Sequence, residues 1–297
     1  MTKSTTDPFQ AIASADLHPA AMANSEAKVI TLLKKDLAAG CDINTVDKFG
    51  GNLLIAACDI GKPKIAKFLI DQGINVAYQE STGFKRTALH YAAREGLGTI
   101  VQLLVDRGLD VNAPGSNGFT PLLMACDGAG KIDVRGLPGI TQLLKSYTKI
   151  VELFLAKGAT PNAASFEKGH TGLHYCGDKN LPAIAKVLLE HQANPNVRAK
   201  EAGISALHFA ARHGFIEVMV LLLSHGANVN AKDDYGFTPL HEAADSNQPE
   251  AVKLLLAHQA DRSIGVDPGF SIYTKKETAL DMAKHRNFSA IVQLLSS

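Results

Sequence analysis

FTPLHEAADSNQPEAVKLLLAHQAD (237–261) is the stretch from which the rest of the chain is read. Leu240 and His241 are followed by the small pair Ala243-Ala244, and EAVKLLL has the three-to-four spacing of a helix with one buried face. Two antiparallel helices approach closely only where the facing side chains are small. The block recurs along the whole chain. With the Leu of T-P-L-H as anchor, it falls at Leu17, Leu54, Leu89, Leu122, Leu173, Leu207, Leu240 and Leu280, with gaps of 37, 35, 33, 51, 34, 33 and 40 residues. Small residues follow at the same offset in Ala57-Cys58, Ala92-Ala93, Ala125-Cys126, Cys176-Gly177 and Ala210-Ala211. The second apolar stripe centres on Val29, Ala66, Val101, Ala185, Met219, Val252 and Val292, with Val151 reached after an insertion. It then meets Gly73, Gly108, Gly158 or Gly226, residues suited to the left-handed position after a helix. Gln192 and Gln259 take that place in two repeats, where a strained or differently shaped turn is expected.

TPLHEAA (238–244), TALHYAA (87–93) and SALHFAA (205–211), each with a following helix and a turn such as GLDVNA (108–113) or GANVNA (226–231), resemble the ankyrin repeat. The resemblance covers residues 14–297 and implies an all-α solenoid of stacked helix–turn–helix units with projecting hairpin loops. Residues 1–13 read as a leader and 14–297 as a single repeat domain. Physics alone points the same way: one helix pair cannot bury its apolar face, so its neighbours must cover it.

Three places depart from the period. In ADLHPAA (15–21) Pro19 falls inside the expected first helix, so that helix starts late or is short, and four extra residues before Gly40 lengthen the second. Repeat four carries 17 extra residues around 127–146. Its Gly-rich start reads as loop, and ITQLLKSYTKIVELFLAKG from Ile140 as a second helix extended by about two turns. The segment 263–277 lengthens the loop before the last repeat, where Asp281 replaces the usual His.

Composition limits function. The chain has 297 residues, 46% apolar and 20% charged, with 30 Lys+Arg against 29 Asp+Glu. That is enough apolar material for a continuous core, and the balanced charge argues against a nucleic-acid or membrane-surface partner. There is no run of the ~18–20 apolar residues a span needs. The N-terminal stretch lacks the apolar region of a secretory signal. Four cysteines without a C-x-x-C pair fit a reducing compartment, so a cytoplasmic location is expected. No catalytic constellation, phosphate loop or metal-ligand spacing is present, which predicts a non-enzyme without cofactor or metal. His90, His174, His208 and His241 recur one place after the anchor, about 10 Å apart and too far to share a metal, and read as structural. His191, His225 and His258 recur near the end of the second helix, where its dipole favours them.

The resemblance places a ligand surface on the concave face, built from hairpin tips and the ends of the first helices. Residue by residue those positions hold Lys48, Phe49, Asp59, Arg94, Glu95, Asn117, Phe119, Lys179, Arg212, His213, Tyr235, Phe237 and Asp245. Aromatics and Arg with charges of both signs suit a protein partner. The leading expectation is a monomeric scaffold or adaptor. Joint replacement of Arg94, Arg212 and Tyr235 is expected to abolish capture with melting unchanged. The alternatives are a bacterial host-directed effector or inhibitor, and a ligand-binding or enzymatic site built by 127–146. Among the turn asparagines, the resemblance marks Asn112 and Asn230 as candidate hydroxylation sites.

Overall fold

In a computed structural model of the chain, residues 19–132, 139–266 and 277–296 are described. The leader 1–13, Leu17, His18, and the loop stretches 133–138 and 267–276 lie outside them. The chain forms two compact units, residues 1–128 with 133–159, and residues 129–132 with 160–297.

In the first unit α1 (Pro19–Ala38) precedes the pairs α2 (Leu53–Asp59) and α3 (Pro63–Asp71), α4 (Ala88–Arg94) and α5 (Gly98–Asp106), and α6 (Pro121–Gly130) and α7 (Ile140–Ala156), with α6 ending across the unit boundary. The second unit holds α8 (Gly172–Lys179) and α9 (Pro182–Glu190), α10 (Ala206–His213) and α11 (Ile216–Ser224), α12 (Pro239–Asp245) and α13 (Pro249–Ala257), then α14 (Ala279–His285) and α15 (Ser289–Ser296). The lengthened loop before α14 is closed at its base by β1 (Gly265–Val266) antiparallel to β2 (Glu277–Thr278).

The core is the one the repeat pattern predicts. Leu54, Leu89, Leu122, Leu173, Leu207 and Leu240 are buried, as are Ala66, Val101, Val151, Ala185, Met219 and Val252 on the second helices. Leu280 and Val292 are half-exposed. Ala57, Cys58, Ala92, Ala93, Cys126, Cys176, Ala210 and Ala244 are fully buried at the helix contacts, and burial pushes the Cys126 thiol up to about 12.

Three ladders join neighbouring repeats. The first is the histidine cap. The Nδ1 of His90, His174, His208 and His241 accepts from the backbone N–H and hydroxyl of Thr87, Thr171, Ser205 and Thr238, closing a capping box. The proton therefore sits on Nε2, which donates across the repeat boundary, from His90 to Ala113 and Phe119, from His174 to Ile204 and from His208 to Phe237. In the last repeat Asp281 does the same capping, accepting from Thr278 N at 2.9 Å and Oγ1 at 2.7 Å. Its polar character thus serves a working helix cap. The second ladder links hairpin tips through Ser81 N to Gly50 O, Ser116 N to Phe84 O, Lys200 N to Lys168 O and Asp234 N to Ala202 O. The third uses the turn asparagines: Asn44, Asn162, Asn196 and Asn230 each accept, through Oδ1, a backbone N–H of the next turn. His191, His225 and His258 bond the carbonyl four residues back, closing their own helix ends.

The structure bears on three local expectations. Pro19–Ala38 is one continuous helix, since the segment contains no Gly and has Pro only at its start, while the anchor Leu17 and the start of the first repeat lie outside the described residues. Asp127–Gly130 is helix and not loop, because a small residue is needed there: a Cβ on Gly128 would strike the Arg94 carbonyl and lie 3.0 Å from the Tyr147 ring. Tyr147 and Ser146, on the extra turns of the 17-residue α7, fasten this corner by donating to Arg94 O at 2.6 Å and Gly96 O at 3.0 Å. The described part of the insertion is therefore a strut. Third, Gln192 (φ 63°) and Gln259 (φ 64°) adopt the same left-handed region as Gly73 and Gly226, so their turns are strained but not differently shaped. Gln259→Gly is expected to raise stability by about 1 kcal/mol in chemical denaturation, and Gly226→Gln to lower it by a similar amount.

Candidate functional site

The hairpin tips and the C-terminal ends of the first helices form the candidate surface in each unit. In the first unit Lys48 and Phe49 stand on an exposed tip, with the ammonium 5.0 Å from the ring centroid and Phe49 68% exposed. Asp59 and Arg94, at the ends of α2 and α4, pair across the repeats at 2.6 Å, and Arg94 Nε donates to Glu95 at 2.8 Å. Arg94 also lies 5.2 Å from the Tyr91 ring centroid. Asn117 and Phe119 are half-buried on the next hairpin. Of the predicted set in this unit, the structure brings Asp59, Arg94 and Glu95 into one charged cluster.

In the second unit Asp178 gathers Lys179 at 2.9 Å and His213 at 3.3 Å, and the His213 ring stacks on Phe215. Arg212 forks onto Glu242 with bonds of 2.7 and 2.6 Å. Arg286 forks onto Asp245, both bonds 2.9 Å. Tyr235 is 45% exposed, and Phe237 packs edge-on to His241 at 5.9 Å. Asn112 Nδ2 donates to Gly158 O and Asn230 Oδ1 accepts from Asp261 N, so both candidate modification sites serve the turn ladder.

Most of the predicted charged contacts are thus engaged within the protein. Charged hydrogen-bonded forks are strong and directional, and hydrogen bonding to Glu242 holds the Arg212 guanidinium above its usual range. Removing Arg212 strands the Glu242 carboxylate, whose side chain is 9% exposed. The expectation that melting is indifferent to Arg94 and Arg212 is therefore corrected. Arg212→Ala lowers stability by about 2 kcal/mol in denaturant titration, and adding Glu242→Ala recovers most of the loss. A cost from the double variant as large as from the single one would contradict this.

Residue-by-residue reading missed Phe84 (52% exposed), Arg86, Glu242 and Arg286. A signal existed for Phe84: it lies five places before its anchor Leu89, as Phe49 does before Leu54 and Tyr235 before Leu240. The cross-repeat partners Glu242 and Arg286 have no such signature.

Among the described residues no group of His, Cys, Asp and Glu is arranged to hold a metal, and no helix is long and apolar enough to cross a membrane. The family model described as ankyrin repeats (3 copies) matches residues 17–115, 79–137 and 193–266, and the ankyrin-repeat model matches 168–200. E3 ubiquitin-protein ligase XBAT32 of Arabidopsis thaliana is 37% identical over 76 residues, 26% of this chain and 15% of that protein. Neurogenic locus Notch protein of Drosophila melanogaster is 36% identical over 104 residues, 34% of this chain and 4% of that protein. Alpha-latrotoxin-Lt1a of Latrodectus tredecimguttatus is 33% identical over 97 residues, 32% and 7% respectively. The chain spans only a small part of each relative's length, and the ankyrin repeat is their common ground as a protein–protein interaction module. The capped first helices, the stacked pairs and these matches together make the chain a member of the ankyrin-repeat family.

Proposed function

We propose that the chain is a non-enzymatic scaffold or adaptor that grips a protein partner with its hairpin tips and first-helix ends. The observation that carries this reading is the register of exposed aromatics. Phe49, Phe84 and Tyr235 occupy the same position on three tips, 68%, 52% and 45% exposed. Large aromatics held on rigid backbone are good anchors, because little freedom is lost on binding. The tip ladder supplies that rigidity. Balanced charge favours a protein partner over a phosphate backbone, and four cysteines without a C-x-x-C pair fit a monomeric protein of the cytoplasm.

The test compares two variants in capture of binding proteins from extracts of the native source. Joint Phe49→Ala, Phe84→Ala and Tyr235→Ala is expected to remove at least nine-tenths of capture with melting within about 2 °C of the parent, because these side chains contribute little to the core. Joint Ile216→Ala and Val220→Ala, exposed on the second helix α11, should retain capture. The reverse pattern would remove the tip surface as the binding face.

A further inference from the structure

The tips of the third and fourth repeats enclose a guanidinium nitrogen that has no partner among the described residues. Arg86 is nine-tenths buried, with its Cζ 4.3 Å from the Phe84 ring centroid, 5.8 Å from Tyr91 and 5.9 Å from Phe119. Its Nε is enclosed and has no hydrogen-bond partner among the described residues. Glu80 stands close by, but its carboxylate is used otherwise: Oε1 accepts from the Tyr91 hydroxyl at 2.7 Å and Oε2 from the Arg86 backbone N–H at 3.0 Å. Beside this, the Asn117 Oδ1 is also buried and has no donor. The two side chains meet at Gly115, where an added Cβ would lie 3.4 Å from both Arg86 Cγ and Asn117 Oδ1.

Buried polar groups are nearly always satisfied, so an enclosed donor and an enclosed acceptor on neighbouring side chains call for a ligand. Ring contacts occupy the flat faces of a guanidinium and leave its N–H edge for an oxyanion. We propose that the Arg86–Asn117 cluster is the pocket for an acidic side chain of the protein partner, with its carboxylate forked on Arg86 and a neighbouring N–H of the partner donated to Asn117 Oδ1. A monocarboxylate fits better than a phosphate, because a dianion would sit against the fixed Glu80 charge. The exposed Phe84 ring, which covers one side of the guanidinium, would contact the apolar residue beside the acid. This inference rests on the protein-recognition reading and names the partner's chemistry.

The test selects binders to the full chain from a random dodecapeptide library and measures the best capped peptide by fluorescence anisotropy. Wild type should enrich Asp or Glu at one position. Arg86→Gln should weaken that peptide roughly thirtyfold and Arg86→Lys roughly tenfold, in keeping with a charged hydrogen-bonded pair. Changing the enriched acid to its amide should weaken binding to wild type by a similar factor and change little in Arg86→Gln. The melting temperature of Arg86→Gln, read alongside, separates lost contact from lost fold, and Arg86→Lys is the deciding variant if the Gln variant does not fold. Equal affinity of wild type and variant, or indifference of wild type to acid versus amide, would overturn the proposal while leaving protein recognition standing. Tighter binding of a phosphoserine at that position would reassign the pocket to phosphate and overturn the carboxylate. Failure of wild type to select any peptide would remove the recognition reading itself and this inference with it.

Discussion

Acidification from pH 7 to pH 5 is expected to lower the melting temperature of the second unit by about 15 °C and that of the first by about 5 °C. The cause is the histidine cap. Burial holds His90, His174 and His241 at about 4 and also lowers His208. In the unfolded chain these imidazoles titrate near 6.5. Between pH 6.5 and about 4 the unfolded chain therefore binds protons that the folded one does not. Stability contributed by the neutral rings is full above pH 6.5 and is lost as the pH falls toward 4. At pH 5 each ring held near 4 costs about 2 kcal/mol relative to pH 7. The second unit carries His174, His208 and His241, and among the described residues the first carries only His90. With a few degrees lost per kcal/mol in a unit of this size, the second unit should open first. Asp281, held below its usual range by bonds from Thr278, adds to the loss only at lower pH. Hydrogen exchange resolved along the chain, recorded at pH 7, 6 and 5, reads both units at once. Equal loss in the two, or protection independent of pH down to 5, would dismiss the cap as the source.

Gly177→Ala should destabilise by about 3 kcal/mol, the opposite of what the exchange does in an ordinary helix. Within a helix interior Ala is favoured over Gly by about 1 kcal/mol. Here the added Cβ would run into the backbone carbonyl of Ala206 and lie 3.3 Å from Phe209 Cβ. A backbone oxygen cannot swing aside as a side chain does, so α8 and α10 would have to part, along with the contacts of Leu173, Cys176 and Ala210. Equivalent sites in the neighbouring repeats hold Cys126 and Ala211, whereas a Cβ at 177 has no room. Denaturant titration of Gly177→Ala beside Gly177→Ser gives the size of the gap; a gain in stability for Ala would show that the helices adjust.

The fold was legible because its signal is periodic. Leu at the anchor, small residues three and four places on and a second stripe repeat often enough to outweigh Pro19 or the insertion near 127–146. What failed was local. Nothing marked Ala20–Ala38 as a single helix except the lack of a breaker, and the glycines of DGAG imitate a loop although Gly128 is there to admit Arg94 and Tyr147. The candidate surface was legible as positions and not as partners. Arg212 stood out, but Glu242 lies 30 residues away and Arg286 lies 41 from Asp245, and such pairs become visible only once the repeats are stacked. The orphaned state of Arg86 is harder still to foresee, since it depends on Glu80 being spent on Tyr91.

The bridges from Asn162, Asn196 and Asn230 to the following turn reach 31 or 32 residues along the chain, and those between the tips of this unit reach the same distance. Every rung therefore presents to the next the same pair of sockets that it receives from the one before. A whole rung in the middle of the second unit can be excised or duplicated in frame, and the cut edges will find matching donors and acceptors. Length is then a quantity that evolution or an engineer can dial in single steps without redesigning any joint.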